Sequence, residues 1–233
     1  MSPTVTVVVP IHNEADYLPG ALGALLEEVR SAGVSFEVVL AENGSTDATA
    51  PVARDLADLH HEVRVIELPT PDYGAAMRAG FRSATGEWVV NFDIDYFSGQ
   101  FLRDALGLAD VADLVLASKR APGADDRRSP LRRAGTLVFN LLLRVLFRSR
   151  VSDTHGMKMV RRTVVETVAP LVTSTLDLFD TELVLRAERA GFRIKEVPAV
   201  VEELRDARSS FLSRVPRTVL GLLRIRLRLW RDR

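Results

Sequence analysis

The 233-residue chain is 47% hydrophobic and 27% charged, enough for one α/β domain with a sizeable core and too short for a long array of domains. It has no cysteine, which removes disulfides, thiolate metal sites and cysteine nucleophiles and fits a reducing compartment. Its net charge of zero divides into −12 over residues 1–118 and +12 over residues 119–233, a polarity suited to a cation on one side of a site and an anionic partner on the other.

The first half alternates strand and helix signals. Thr4–Val9 is a β-branched run closed by Pro10, and no basic region precedes it, so it does not read as a signal peptide. Leu18, Leu22, Leu25, Leu26 and Val29 recur at helical spacing within Leu18–Arg30, and Gly33 ends that helix. Phe36–Ala41 reads as a second strand, and Asn43-Gly44-Ser45-Thr46-Asp47 as a turn into a helix that runs to about His60. Strand signals return at Val63–Leu68, Trp88–Phe92 and Asp113–Ser118, with a helix over Tyr73–Ala84.

The second half is less regular. Lys119–Pro130 is polar, contains Pro-Gly and is expected to be a mobile loop. Leu131–Phe147 reads as an apolar helix flanked by arginines. Its apolar stretch Leu137–Phe147 is 11 residues long and interrupted by Asn140 and Arg144, too short to span a bilayer. A helix over Asp180–Ala190, strands at Phe192–Val197 and Ala199–Leu204, and a terminal helix from Ser209 complete the chain. The alternation predicts a mostly parallel sheet with helices on both faces, with the active site past the carboxyl ends of the strands.

That rim is where the acids gather. Asp93-Ile94-Asp95 follows the fourth strand, and two carboxylates at i and i+2 beyond a strand end can converge on Mg²⁺ or Mn²⁺ if the chain bends there. Pro10-Ile11-His12-Asn13-Glu14 ends the first strand, Glu42–Asp47 ends the second, and Asp72-Tyr73-Gly74 follows the third. Turn and helix-cap chemistry accounts for Asn43-Gly44 and Ser45–Asp47. It does not account for Glu14, Glu42, Asp93 and Asp95 on one edge, where mutual repulsion calls for a cation.

The segments TVVVPIHNEADYL, VVLAENGSTDAT, YGAAMRAGFRSATGEWVVNFDID and FDTELVLRAERAGFRIKEVP together resemble the successive motifs of family-2 inverting glycosyltransferases with the GT-A fold. Gly74–Asp95, Val151–Lys158 and Phe179–Pro198 are most similar to the polyprenyl-phosphate sugar synthases, the dolichyl-phosphate mannose and glucose lineage. The resemblance covers about residues 4–210 and implies a GT-A catalytic domain over 1–208, followed by a basic amphipathic helix over 209–233. It implies that Pro10, Glu14 and Glu42 bind the nucleotide base and ribose. Asp93 would sit near ribose and diphosphate, and Asp93 with Asp95 would hold Mg²⁺ or Mn²⁺, Asp95 acting in catalysis.

By the same resemblance Lys119, Arg120, Arg132, Arg133 and Lys158 are the cations placed against donor and acceptor phosphates, with Lys158 among the catalytic residues. Glu182 stands where many relatives keep an acid that serves as general base for a hydroxyl acceptor; a polyprenyl phosphate is already anionic and needs none. Four features depart from the family pattern. His12 replaces a Tyr, Glu42-Asn43-Gly44-Ser45 replaces Asp-Asp-Gly-Ser, Phe97 replaces a Gln, and Asp153-Thr154-His155-Gly156-Met157-Lys158 is one residue shorter than its counterpart.

In Ser213–Arg233 a broad apolar face ending at Trp230 opposes Arg217, Arg224, Arg228 and Arg231, the pattern of a helix lying in a membrane interface. The sequence is therefore expected to encode a metal-dependent inverting transferase. It would move a sugar from a GDP-mannose- or UDP-glucose-type donor to a polyprenyl phosphate, peripherally on the cytoplasmic face of a membrane, with self-association left open. The alternatives are a hydroxyl acceptor with the same donor, or a non-catalytic sugar-nucleotide module. No Gly-x-Gly-x-x-Gly follows the first strand, which disfavours a dinucleotide enzyme, and the basic residues lack the interleaved aromatics of a nucleic-acid platform.

Overall fold

A computed structural model describes residues 4–127, 129–175, 178–201 and 211–231. Strands β1 (Val5–Ile11), β2 (Phe36–Asn43), β3 (Val63–Leu68), β4 (Trp88–Asn91), β5 (Leu114–Ser118), β7 (Lys158–Arg161) and β8 (Ile194–Pro198) form one sheet in the order β3-β2-β1-β4-β7-β5-β8. All neighbours run parallel except β7, which is antiparallel to both β4 and β5. The chain winds outward from β1 to β3 and then crosses back to β4 on the other side of β1. The carboxyl ends of β1 and β4 therefore flank the crevice where open α/β sheets bind ligands.

Alternation along β1 sorts the helices into two layers. Val5, Val7, Val9 and Ile11 pack with α1 (Leu18–Arg30), α2 (Thr49–Leu59) and α4 (Gly99–Leu106). Val8 faces the opposite layer of α3 (Tyr73–Ser83), α6 (Arg162–Val168) and α7 (Phe179–Arg189). Both faces of β1 are thus buried, which is why Val5–Val9 is β-branched throughout and does not alternate with exposed polar residues. A third cluster joins α5 (Pro130–Phe147) and α8 (Phe211–Arg231) to α7 through Leu143, Leu185, Leu222, Ile225 and Leu229.

The α1 bounds agree with the helical spacing, and α3 is capped by Asp72, whose Oδ1 accepts the Ala75 N–H at 3.0 Å. Several boundaries move. β1 continues through Pro10 to Ile11, because the Thr4 and Val8 carbonyls accept from β4 and Pro10 turns its nitrogen to that same side. Pairing with β4 has ended there, so no ladder bond is lost. β2 runs to Asn43, which puts Glu42 inside the strand.

Helix α4, helix α6 and strand β7 were not anticipated. β7 has four residues and buries three of them, a run too short to register as a period. The 119–130 segment is not a free loop, since Asp125–Asp126 (β6) pairs in parallel with Val200–Val201 (β9). The rest of the expected Ala199–Leu204 strand, and the 208/209 domain boundary, lie outside the described residues. Among the described residues no helix is long and apolar enough to cross a membrane.

Candidate active site

The acidic rim is assembled by strand ends. After β4 the chain turns back at once: Asp93 and Tyr96 exchange backbone hydrogen bonds of 3.2 and 3.0 Å, so Ile94 and Asp95 form the tip of a two-residue turn. Phe92 and Ile94 are buried in the core and fix that turn to the sheet. Both carboxylates are thereby carried past the end of β4, beside the crevice between β1 and β4.

The first two strand ends are laced together. Asn13, in the left-handed region at φ 54°, donates its N–H to Ser45 Oγ at 3.0 Å and accepts the Thr46 N–H at 2.8 Å through Oδ1. The Glu14 N–H donates to Thr49 Oγ1 at 2.7 Å, and Asp47 accepts from the Thr49 N–H and hydroxyl. Buried Glu42 accepts the Ser45 N–H at 2.7 Å. Gly44 at φ +60° is obligatory here, because a Cβ would sit 2.7 Å from the Thr70 carbonyl carbon. The Asn43 side chain accepts the Asp72 N–H at 2.7 Å and ties in the third strand end.

Strand β7 brings the basic half to the same edge. Because β7 runs backwards, its first residue, Lys158, lies level with Asn91 of β4 and Leu116 of β5. The Lys158 side chain is fully buried, and its ammonium donates to Asp180 Oδ1 at 2.9 Å, Asn91 Oδ1 at 2.8 Å and the Gly156 carbonyl at 2.7 Å. Three donors meet three acceptors. Where a phosphate ligand was expected, the Lys158 ammonium is engaged by protein groups and holds Asp180. Asp180 Oδ2 accepts the Tyr73 hydroxyl at 3.0 Å, which fixes the remaining oxygen.

Lys119 is similarly engaged, donating to Asp153 Oδ2 at 3.1 Å with both side chains largely buried. Burial raises the Asp93 carboxyl to about 6, aided by the charges of Asp180 and Asp95 and opposed by Lys158 and Lys119. These five groups therefore share one electrostatic neighbourhood. His155, behind them, is held below its usual range by burial against the pull of Asp153 and Asp180, and its ring lies edge-on to Phe139 at 5.1 Å.

Other expected residues lie elsewhere. Glu182 is fully buried on the far side of Asp180: Oε1 accepts from Arg186 Nε at 2.8 Å and Oε2 accepts the Thr173 and Ser174 N–H groups. Its carboxylate brackets a loop and in this structure has no oxygen directed to an acceptor. Arg120 lines a separate cavity of about 590 Å³ with Arg150 and Lys195. Arg133 is exposed in the first turn of α5, and the Arg132 side chain lies outside the described residues. Asn91 belongs to the rim with Tyr73 and Asp153 and was not singled out from the sequence. The reverse direction of β7 was the signal needed to find Asn91.

A hard divalent cation fits the Asp93–Asp95 turn on the chemistry of the donors: two carboxylate ligands, both half-buried, with Asp93 held back from ionising by desolvation and by neighbouring negative charge. Among the described residues no group of three or more His, Asp or Glu side chains forms a cage. The remaining positions would fall to ligand oxygens and water, as is usual for Mg²⁺ shared with a phosphate.

The sequence pattern described as Glycosyl transferase family 2 matches residues 6–169, a span that includes Pro10, Glu42, Asp93, Asp95 and Lys158. The chain belongs to that family. An uncharacterized glycosyltransferase of Mycobacterium tuberculosis is 32% identical over 195 residues, covering 83% of each chain. Among solved structures, a mannosyltransferase of Pyrobaculum calidifontis in complex with GDP-Man and Mn²⁺ superposes with a TM-score of 0.66 at 23% identity, over 98% of this chain and 65% of that one. Glucosyl-3-phosphoglycerate synthase of M. tuberculosis, in complex with Mn²⁺, UDP-Glc and phosphoglyceric acid, superposes at 0.72 and 21% identity, over 96% and 79%. The fold is GT-A, and this family-2 protein is a glycosyltransferase whose DxD turn lies at the crevice of its sheet.

Proposed function

We propose that this glycosyltransferase moves a hexose, with inversion, from a nucleoside-diphosphate sugar to a polyprenyl phosphate at the cytoplasmic face of a membrane. Pro10, Glu14 and Glu42 form the walls for base and ribose, and Glu42 keeps one oxygen without a protein partner among the described residues. Asp93 and Asp95 would hold Mg²⁺ or Mn²⁺ together with the diphosphate, and such an ion would neutralise charge that grows on the leaving nucleoside diphosphate.

The observation that carries the acceptor class is the state of the α7 acids. A hydroxyl acceptor needs a carboxylate free to take its proton. Glu182 is enclosed, and both oxygens of Asp180 are held by Lys158 and Tyr73. A phosphate acceptor is already an anion and needs no base, so it suits a rim without one. Lys158 acts here as a positioning residue through Asp180. Lys119 and Arg133 remain the candidates for meeting the acceptor phosphate, Lys119 by exchanging Asp153 for it.

The competing reading, a hydroxyl acceptor, is favoured by the phosphoglyceric acid bound in the solved synthase. Incubating the protein with Mn²⁺, labelled GDP-mannose or UDP-glucose, and a short polyprenyl phosphate, its free alcohol or phosphoglycerate in parallel separates the two. Label in the organic phase with the phosphate alone supports the proposal. Label with the alcohol, or with phosphoglycerate, overturns it.

A further inference from the structure

Helices α5 and α8 carry nine arginines between them and no carboxylate. Each is apolar on two opposite sides. The inner sides, with Leu142 and Leu143 of α5 and Leu222 and Ile225 of α8, close over Leu178 and Leu185 at the start and middle of the α7 segment. The docking is specific: a Cβ on Gly221 would lie 2.0 Å from Leu178 Cδ1, and Arg228 stands 3.6 Å from the buried Glu182. This seating determines which residues face outward.

The outward residues are not polar. Val138, Leu141 and Val145 on α5, and Leu220, Leu223, Leu227 and Trp230 on α8, recur at steps of three and four and are between 44% and 70% exposed. Each set makes a continuous stripe opposite the packed side. Arginines border the α8 stripe on both flanks, with Arg217, Arg224 and Arg231 on one side and Arg226 on the other.

Between the end of α5, α7 and α8 opens a cavity of about 680 Å³. Phe147 and Leu229 contribute to its apolar floor, and Arg148, Arg150, Arg189 and Arg226 to its rim. The single carboxylate in the lining, Glu188, is engaged by the Arg150 N–H at 2.7 Å. None of the four guanidinium groups has an ion-pair partner among the described residues.

A second copy docked face to face is a poor occupant, because it would set arginine against arginine with Glu188 the one acid in the cavity lining. A surface with anionic headgroups over an acyl layer matches both the charge and the stripe. We infer that the outer faces of α5 and α8 dock on an anionic phospholipid bilayer, and that Arg148, Arg189 and Arg226 seat a lipid phosphate above the apolar cavity floor. The inference deepens the proposed function by locating its membrane contact, and it rests on that reading only for its setting.

Binding is measured without donor or acceptor, by co-flotation of the full chain with phosphatidylcholine vesicles with and without about 30% phosphatidylglycerol. Wild type is expected to float only with the anionic vesicles and to be released by salt. At about fivefold per interfacial arginine, Arg148→Gln/Arg189→Gln/Arg226→Gln is expected to weaken partitioning by about 100-fold. Leu223→Asp/Leu227→Asp is expected to abolish it; these side chains are exposed, so a preserved melting temperature separates lost docking from lost fold. Equal flotation with neutral vesicles, or an arginine variant that binds within about threefold of wild type, overturns the inference. So does a wild-type dimer that the leucine variant dissociates, which would give the stripe to a second copy. Sugar transfer in detergent without vesicle binding would sink this inference and leave the transferase reading standing; binding without transfer would do the reverse.

Discussion

Lys158→Met tests whether the buried lysine is a strut. The Lys158–Asp180 pair is 2.9 Å long with side chains 0% and 8% exposed, so neither charge is relaxed by water. Methionine keeps the length and volume of the stem, and the packing term stays below about 1.5 kcal/mol. Removal of the ammonium leaves the Asp180 carboxylate buried beside Asp93 and deprives Asn91 and Gly156 of a donor, and deletion of one member of a buried pair costs about 3–5 kcal/mol. Asp180→Asn strands the ammonium instead and has a similar cost. The double variant removes both charges, so its loss is expected to fall short of the sum of the singles by at least about 2 kcal/mol. Urea unfolding followed by circular dichroism gives all three values at constant slope. If the two losses add within about 0.5 kcal/mol, or if Lys158→Met costs less than about 1 kcal/mol, the ammonium is solvated or free and the argument fails.

Three further outcomes follow from the same geometry. Nucleoside diphosphate with Mn²⁺ at about 100 times its dissociation constant should stabilise the protein by about 2.7 kcal/mol, a rise in melting temperature of about 5–10 °C, and Asp95→Asn should erase the rise in a thermal-shift assay. Glu182→Gln should leave the turnover number within about threefold of wild type while destabilising the fold by about 3 kcal/mol, because Arg186 loses a buried partner; a loss of turnover of about 100-fold or more would restore Glu182 as a base. Burial alone would raise the Glu37 carboxyl, but hydrogen bonds from Arg64, Thr6 and Thr85 outweigh it and hold it at about 2, below its unfolded value. Its stabilisation is therefore full above about pH 4.5 and lost as the pH falls toward 2, so the margin of wild type over Glu37→Gln should shrink from about 1–2 kcal/mol to near zero over that range in acid unfolding, after allowance for the partly exposed Arg64.

The acidic half of the chain was legible because its elements are local. Each strand ends in a turn whose residues announce it, and α1 and β3 fall where the periodicity put them. The DxD turn was legible for the same reason, since a strand end and two acids suffice to place it at the rim. The basic half was not, because its placement depends on a pairing that no local pattern encodes. β7 is four residues long, arrives antiparallel between β4 and β5, and only then does Lys158 meet Asn91 and Asp180, 67 and 22 residues away in sequence. Glu182 misled for a related reason. Its place in the first turn of α7 suits an exposed acid, yet the loop at Thr173 and Ser174 folds over it and consumes the carboxylate in backbone hydrogen bonds.

The charge division between the two halves therefore has a different meaning from the one it first suggests. The cations that reach the rim do not arrive as free phosphate ligands: Lys158 is matched by Asp180 and Lys119 by Asp153, each with its own carboxylate. The rim stays net acidic, which adds to the desolvation that raises Asp93 and which a divalent ion would relieve. The surplus of positive charge is carried away from the chemistry, onto α5 and α8, which contain no carboxylate of their own and whose intervening side chains are exposed leucine, valine and tryptophan. α5 is the link between the two regions. Its Phe139 packs on His155 and its Asn140 donates to the Ser152 carbonyl, in the segment that delivers Asp153 and Lys158. α5 thus touches both the exposed apolar stripe and the segment whose Asp153 and Lys158 hold Lys119 and Asp180.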